Sequence, residues 1–565
     1  MSGSSAQALF HQDVRTSLRR KVSESHLSKM GRNTTLTTAV SVLLVFCLTG
    51  MMYMYVQQFS TVNVIRTELE SQPIRISSSQ WQFQNGSIDL EQITKSENFV
   101  ISVVNPRSMY RVGRQLSIKI VAMDTRGRPK SYGGDVIRVK LYTRSPVQAS
   151  TAGRVTDYGN GTYLASFFLS FPGRLSVAVK LVHSSEALQL LKRFRDVFHV
   201  RRIMVCRFHE KNKNFTEWMP CSNTFNKSIT LRDVCDFSRP SVNATFYCQR
   251  PRVSHCDSIG GCHRDHEVTM AHYDNMATEE EKRLFPRDRT LAEELPRGVS
   301  VQVRGKRKVR KVHGKILPPC GPRLPETASE GYWFNGTWTS LRCYARRFRT
   351  IPSAVQCLQN KTLFFRGDST TRQWWRYLMI FLKLQQQGHG AEPLSAIDEK
   401  HDIKLQFSFH HFPRNQIPPM DPFGDHYDMH YIAEEIDGIV GGPNVVIVIG
   451  PWAHFMAEPI ETFRSRLYGI RHAIERLHND YPETKIIWRT PNTVHHDKFW
   501  HVVENSDFYG HQLLLLVKEI LGDLNIAIID VWEMSESMWH DDDMHPPQEV
   551  IKNHIDLLLS YICSS

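Results

Sequence analysis

The chain has 565 residues, 41% of them hydrophobic and 22% charged, which suits two or three folded units with appendages and excludes a disordered chain. Its formal charge of +13 sits in an N-terminal tail, a basic stretch from Arg304 to Lys315 and scattered arginines, with no nucleic-acid fold signature, so no nucleic-acid partner is expected. The absence of a phosphate-cradling Gly-rich loop, a dinucleotide fingerprint and a Gly-x-Ser-x-Gly elbow sets aside the common nucleotide-binding and α/β-hydrolase patterns.

From the amino terminus, Leu36 to Val56 is one uncharged apolar run, long enough at 1.5 Å per residue to cross a bilayer core of about 30 Å. The tail before it carries Arg15, Arg19, Arg20, Lys21, Lys29 and Arg32, whereas the segment just after it carries Arg66 beside Glu68 and Glu70. This bias predicts a type II signal anchor over 36–56, with residues 1–35 in the cytosol and the body in the lumen. The leading region is too long and the apolar run too wide for a cleaved signal. Asn-x-Ser/Thr sequons follow the span at Asn85, Asn160, Asn214, Asn226, Asn243, Asn335 and Asn360, and are expected to be glycosylated there. Beyond Cys47 lie ten cysteines: Cys206, Cys221, Cys235, Cys248, Cys256, Cys262, Cys320, Cys343, Cys357 and Cys563. The even number and the crowding between 206 and 262 predict disulfide staples in an oxidising compartment. The Cys256-x5-Cys262 spacing, with His255 and His263 alongside, matches no common zinc finger, so no metal is expected.

Residues 57–97 read as a polar stalk. Near period-two alternation then marks Val100–Val104, Gln115–Val121, Val136–Leu141, Tyr163–Phe168 and Leu175–Leu181, separated by turns such as Tyr158-Gly159-Asn160-Gly161-Thr162. Short, evenly spaced strands predict a β-sandwich of immunoglobulin size over 98–205. Residues 206–360, with cysteines, prolines and the basic run, read as an irregular connector. Within it Arg304-Gly305-Lys306-Arg307 fits a convertase cleavage pattern and is expected to be a solvated loop.

From residue 361 apolar strands (Thr362–Phe365, Ile403–Phe409, Val445–Ile449, Lys485–Trp488, Ile526–Val531) alternate with helical patterns (Gln373–Leu384, Ile432–Ile439, Ile460–Leu477, Gly510–Ile520, Glu549–Tyr561). That alternation predicts an α/β fold over 361–565: a mainly parallel sheet with helices on both faces, in three layers. Ligands of such sheets bind beyond the strand carboxyl ends. There the first strand runs into Gly367-Asp368-Ser369-Thr370-Thr371-Arg372, which places a serine hydroxyl near a helix N-terminus. Just after the last clear strand comes Asp542-Asp543-Met544-His545. Acyl transfer needs a nucleophile, a base held in one tautomer and donors for an oxyanion. Ser369 is the expected nucleophile, His545 the base and Asp542 the acid that orients it. The oxyanion is expected to receive the Ser369 N–H and a second donor from the strand end Gly450-Pro451-Trp452-Ala453-His454, where Gly450 lets the backbone come close and His454 or Trp452 donates; Gly367, Asp368, Arg372, Gly450 and His454 are the expected oxyanion or substrate-binding residues. Asp402, Asp421, Asp425, Asp428, His426 and His430, near His401 and His410-His411, form an acid- and histidine-rich stretch expected to be a polar loop.

The Gly367–Arg372 block and Asp542-x-x-His545 resemble the first and last blocks of SGNH/GDSL-type esterases. More closely, residues 98–565 resemble the neurexophilin and PC-esterase domain (NXPE) family. The stretches that carry this are Tyr132-Gly133-Gly134-Asp135, Gly153-Arg154-Val155-Thr156-Asp157-Tyr158, Leu181-Val182-His183-Ser184-Ser185-Glu186, Gly438-Ile439-Val440-Gly441-Gly442 and Val531-Trp532-Glu533-Met534. The resemblance implies a neurexophilin-like sandwich followed by an SGNH-like PC-esterase domain. Related PC-esterase domains act on acyl esters of glycans in the secretory pathway, including Golgi O-acetylation of sialic acids. The expected function is therefore a Golgi-lumen O-acyltransferase that O-acetylates glycoconjugate sugars such as sialic acid through an acyl-Ser369 intermediate. It would bind no cofactor and take acetyl-CoA as acyl donor and a glycan or glycoprotein as acceptor. Arg372, matching the arginine after the serine block in such domains, would fix the loop or meet a substrate carboxylate. The alternatives are an O-acetyl esterase on the same glycans and a non-enzymatic neurexophilin-like glycoprotein ligand.

Overall fold

The computed structural model describes residues 90–564 except 197–200, 202–203, 211, 213, 224–230, 265, 286–294, 307–310, 313–314, 388–392, 411–430, 495–497 and 539–542. The apolar run 36–56 and Arg307 lie outside them. Among the described residues no helix is long and apolar enough to cross a membrane.

Alternation does what the sequence leads one to expect in the N-terminal part. In Gln115–Val121 the side chains of Leu116, Ile118 and Ile120 are buried while Gln115 and Lys119 face solvent. Its neighbours are Val100–Val103 and Thr162–Phe168. Val136–Thr143 and Gly173–His183 pair with each other on the other side. One strand missing from the sequence reading, Ala149–Asp157, joins both groups. Its first half pairs with Val136–Thr143 and its second half with Thr162–Phe168. Ala149-Ser150-Thr151-Ala152-Gly153 offers no large apolar residue to reveal a strand. The Gly153 position is small for a reason: a Cβ there would lie 2.5 Å from the Phe167 ring.

The quoted N-terminal motifs meet at one point. Asp135 accepts the Ser185 N–H at 2.8 Å and the Tyr163 hydroxyl at 2.9 Å, and Asp157 accepts the Gly134 N–H at 2.7 Å. This knot fixes the start of the helix Ser185–Asp196.

Residues 206–360 correct the expectation of an irregular connector. Met204–Glu210, Phe215–Ser222, Val234–Asp236, Tyr247–Gln249 and Ile259–Arg264 form a five-stranded sheet. Three disulfides staple it: Cys206–Cys262, Cys221–Cys248 and Cys235–Cys256. Three-residue strands carry no readable periodicity, and the disulfides supply the cross-links that a small apolar core lacks. Farther on, Leu295–Arg304 and the hairpin Gly331–Phe334/Thr337–Ser340 return to the N-terminal sheet. Of the sequon asparagines, Asn160, Asn214, Asn243, Asn335 and Asn360 are exposed, and Asn85 and Asn226 lie outside the described residues.

The C-terminal sheet comprises β1 (Lys361–Gly367), β2 (Leu394–Asp398), β3 (Ile403–Phe409), β4 (Val445–Gly450), β5 (Lys485–Arg489) and β6 (Ala527–Ile529), in the order β2-β3-β1-β4-β5-β6. All pairs are parallel except the edge strand β2, which runs against β3 and was absent from the sequence reading. Its helices are α1 (Ser369–Phe381), α2 (Ile432–Asp437), α3 (Ile460–Asp480), α4 (Phe499–Asn505), α5 (Asp507–Leu521), α6 (Trp532–Glu536) and α7 (Gln548–Ile562). Val446 and Val448 of β4 join a core with Trp374, Leu378, Ile551 and Leu558 from α1 and α7. Ile447 and Ile449 join another with Phe463, Leu467, Leu513 and Val517 from α3 and α5. Helices thus cover both faces. Cys357–Cys563 fastens the helix Ile351–Leu358, ahead of β1, to the end of α7. The strand order reverses at β1: the chain turns to β3 and β2 on one side and returns to β4 on the other. The carboxyl end of β1 is therefore the switch point beyond which such sheets bind ligands.

Candidate active site at the switch point

The sequence turns sharply at the end of β1 because Gly367 and Gly450 face each other across parallel strands. A Cβ on either would lie 2.6 Å from the Thr371 hydroxyl, which donates to the Gly450 carbonyl at 2.9 Å. The helix then begins four residues earlier than expected, because Asp368 is its N-cap. Asp368 has no exposed surface. One of its oxygens accepts the Thr370 N–H at 2.9 Å and the Thr370 hydroxyl at 2.6 Å; the other accepts the N–H groups of Trp452 at 2.9 Å and Ala453 at 2.7 Å. Burial opposes the charge on Asp368. His454, Arg489, the Thr370 hydroxyl and His410 outweigh that and hold the carboxyl below its ordinary pKa.

Ser369 is the first helical residue, half-buried, with its N–H among those a helix start leaves without an intrahelical partner. Its Oγ lies 2.8 Å from Nε2 of His545. Two residues 176 positions apart therefore meet. The imidazole is exposed, yet the surrounding protein displaces enough water to lower its pKa. Asp368 and Asp543 oppose that shift, while the cations Arg489 and Arg372 add to it. Asp543 accepts the His545 backbone N–H at 3.1 Å. Asp542 lies outside the described residues.

The loop after β4 differs from expectation in one respect. The Trp452 and Ala453 N–H groups serve Asp368, and the buried Trp452 indole donates to the Thr370 hydroxyl at 2.9 Å. Trp452 therefore holds the serine turn in place and has no donor left for an oxyanion. His454 is half-buried, its Nδ1 3.0 Å from Nε2 of His410 and its ring stacked with that of Phe409 at 6.4 Å between centres. Arg372 is exposed, with its guanidinium 4.9 Å from the centre of the same phenylalanine ring.

Four neighbours were not read as parts of the site: Gln373, His410, Arg489 and Asn492. Arg489 is completely buried between Trp374 and Trp452, and burial pushes its pKa down to about 10 against the pull of Asp368, so it stays charged. An arginine ending the apolar run Lys485-Ile486-Ile487-Trp488-Arg489 was the signal available in the sequence. Of the acid- and histidine-rich stretch, Asp402 and His401 sit in the turn before β3, where His401 bonds Asp398 at 2.7 Å; Asp421, Asp425, Asp428, His426, His430 and His411 lie outside the described residues. The sulfurs of Cys206, Cys221 and Cys248 lie close together, but each is in a disulfide and has no thiolate to offer a metal.

Two family models match the chain: the one described as NXPE family member 4-like, C-terminal domain, over residues 338–563, and the one described as Neurexophilin over residues 80–286. The first match includes Ser369 and His545; the second includes the N-terminal strands as far as Gly173–His183 and the disulfide-stapled sheet, but not the returning strands after residue 294.

Proposed function

The chain belongs to the neurexophilin and PC-esterase domain (NXPE) family, and from that premise we propose that it is a serine-dependent O-acyltransferase of the Golgi lumen. The observation that carries the reading is the 2.8 Å contact between Ser369 and His545 at the switch point of a mainly parallel sheet. In this reading the C-terminal sheet is SGNH-like, the N-terminal sheet is immunoglobulin-like, and residues 36–56 anchor the protein.

His545 Nε2 takes the Ser369 proton as Oγ attacks the acyl carbonyl of a donor such as acetyl-CoA. The Ser369 N–H and the His454 ring receive the negative oxygen. His545 returns the proton to the departing thiolate, leaving an acyl ester on Ser369. The same imidazole then deprotonates a sugar hydroxyl, which attacks the ester, and the proton passes back to Ser369. Asp542 would hold the far nitrogen of the ring. Arg372, an exposed cation on the same helical turn as Ser369, suits the carboxylate of a sialic acid. A second reading, hydrolysis of the same esters, draws on the exposure of His545, which gives water the access that a sugar would need.

The test is to express wild type and Ser369→Ala in cells and measure O-acetylated sialic acid. Higher levels with wild type support transfer, and lower levels support hydrolysis. Equal levels would remove both.

A further inference from the structure

We infer that Gln373 and Asn492 are positioning residues for His545, gripping its loop from two sides so that the imidazole meets the serine. The inference rests on the reading of Ser369 as nucleophile and His545 as its base, and adds what keeps them in register.

The loop Asp543–Pro546 leads into Pro547, and the two prolines have no N–H to offer. Its handles are carbonyl oxygens, and one on each flank of His545 is taken. Beyond the histidine, the Pro546 carbonyl accepts from Gln373 Nε2 at 2.7 Å. Gln373 stands four residues after Ser369 on α1, so both side chains rise from one helix face a single turn apart. Nucleophile, base, the next residue and Gln373 thus close a ring through one turn of helix. A shift of the loop must stretch either the Ser369–His545 contact or the Gln373–Pro546 bond.

Before the histidine, the Asp543 carbonyl accepts from Asn492 Nδ2 at 3.0 Å. Asn492 has no exposed surface, and its own oxygen accepts from Arg489. The guanidinium fixes which end of the amide is which: the oxygen must face the cation, so the NH2 group faces the loop. Arg489 is wedged between Trp374 of α1 and Trp452 of the β4 loop, so the chain of contacts ends on the same elements that hold Ser369. A displacement of about 1 Å in such a geometry costs on the order of 100-fold in rate.

The experiment uses the full-length protein in detergent and follows labelling of Ser369 by a fluorophosphonate, together with the thermal midpoint. Gln373→Met keeps the side-chain length and removes the donor. Asn492→Asp keeps the acceptor for Arg489 and removes the donor to Asp543. Both should label ~10- to 100-fold more slowly than wild type at pH 7.5 while remaining folded. Gln373→Glu donates only when protonated, so its rate relative to wild type should rise between pH 7.5 and 5.5, whereas that of Gln373→Met stays flat. A purely structural role would lower the midpoint and leave those relative rates independent of pH. Labelling of Gln373→Met and Asn492→Asp at the wild-type rate overturns the inference while leaving the nucleophile reading intact. Wild type that fails to label, or Ser369→Ala that labels as fast, overturns the nucleophile reading and this inference with it. If Gln373→Met fails to fold, the pH response of Gln373→Glu decides alone: a rise toward pH 5.5 supports the grip and a flat ratio overturns it.

Discussion

Asp368→Asn isolates the group on which the serine turn depends. The wild-type carboxylate accepts four hydrogen bonds, two from Thr370 and two from the backbone of Trp452 and Ala453. An asparagine turns one acceptor into a donor. With its oxygen toward Trp452 and Ala453, its NH2 meets the Thr370 N–H, which is then buried and unsatisfied, a cost of about 1–3 kcal/mol. The substitution also removes the negative charge that acts through space on buried Arg489. The loss at Thr370 sets the scale, and about 1–3 kcal/mol is expected. Urea unfolding followed by tryptophan fluorescence measures it, because Trp374 and Trp452 are buried against Arg489. The sign of the pH dependence follows from the lowered pKa of Asp368. Its stabilisation is complete above the unfolded carboxyl value of about 3.9 and is lost as pH falls through the folded value. The gap between wild type and variant should therefore hold steady from pH 8 to 5 and narrow only below about 4. A gap under about 1 kcal/mol, or one that closes above pH 5, would refute the placement of a charged Asp368 at the centre of the turn.

The lowered pKa of His545, due first to burial, keeps it neutral at lower pH than a free imidazole of about 6.5. The acid limb of fluorophosphonate labelling should fall below that value and move upward in Arg372→Ala, which removes a cation that lowers it; an unmoved limb contradicts the electrostatics. Glu533 is buried beside Glu330, and its pKa is pushed up to about 8, first by burial and then by that carboxylate. A raised acid holds its proton in the folded state after the unfolded state has released it, so stability falls as pH rises from about 4 to 8. Glu533→Gln has no such proton to lose, and its advantage in unfolding free energy should grow by about 2–4 kcal/mol between pH 5 and 8; a constant difference rules this out. Replacing Cys357 and Cys563 by serine opens a link across 206 residues, with an expected loss of about 3–5 kcal/mol in denaturant unfolding. An unchanged midpoint would show that α7 needs no tether.

The strands that announced themselves share one property: a large apolar residue at every second position, or an unbroken apolar run in the parallel sheet. Val445–Gly450 reads as a buried strand because both of its faces are covered, Val446 and Val448 by one helical layer and Ile447 and Ile449 by the other. Ala149–Asp157 was hidden because close packing against Phe167 requires small side chains, and small side chains carry no periodicity. The chemistry followed the same division. Ser369 and His545 could be read because each sits beside punctuation, Gly367 before one and Pro546 after the other. Gln373 and Asn492 could not, since an amide that bonds a carbonyl far along the chain leaves no local pattern. Trp452 was misread for a related reason: the sequence shows that it can donate but not that its indole N–H is already donated to Thr370.

These hidden contacts bear on why the N-terminal and C-terminal parts are fused. Ser150 of the small-residue strand donates to the Ser537 carbonyl at 2.6 Å, Lys140 to Met538 at 2.6 Å, and the Trp333 indole to Met534 at 2.9 Å. All three acceptors lie on α6 or just after it, on the approach to the segment that ends in His545. Trp338 reaches past that segment to Asn553 of α7 at 2.8 Å. The N-terminal sheet and its returning hairpin therefore hold both approaches to the loop, while Gln373 and Asn492 hold the loop itself. Nothing on the N-terminal sheet needs to touch a substrate for its removal to move the imidazole. A base delivered from the far end of the chain to a serine near its middle needs walls on both sides, and the β unit supplies the outer one.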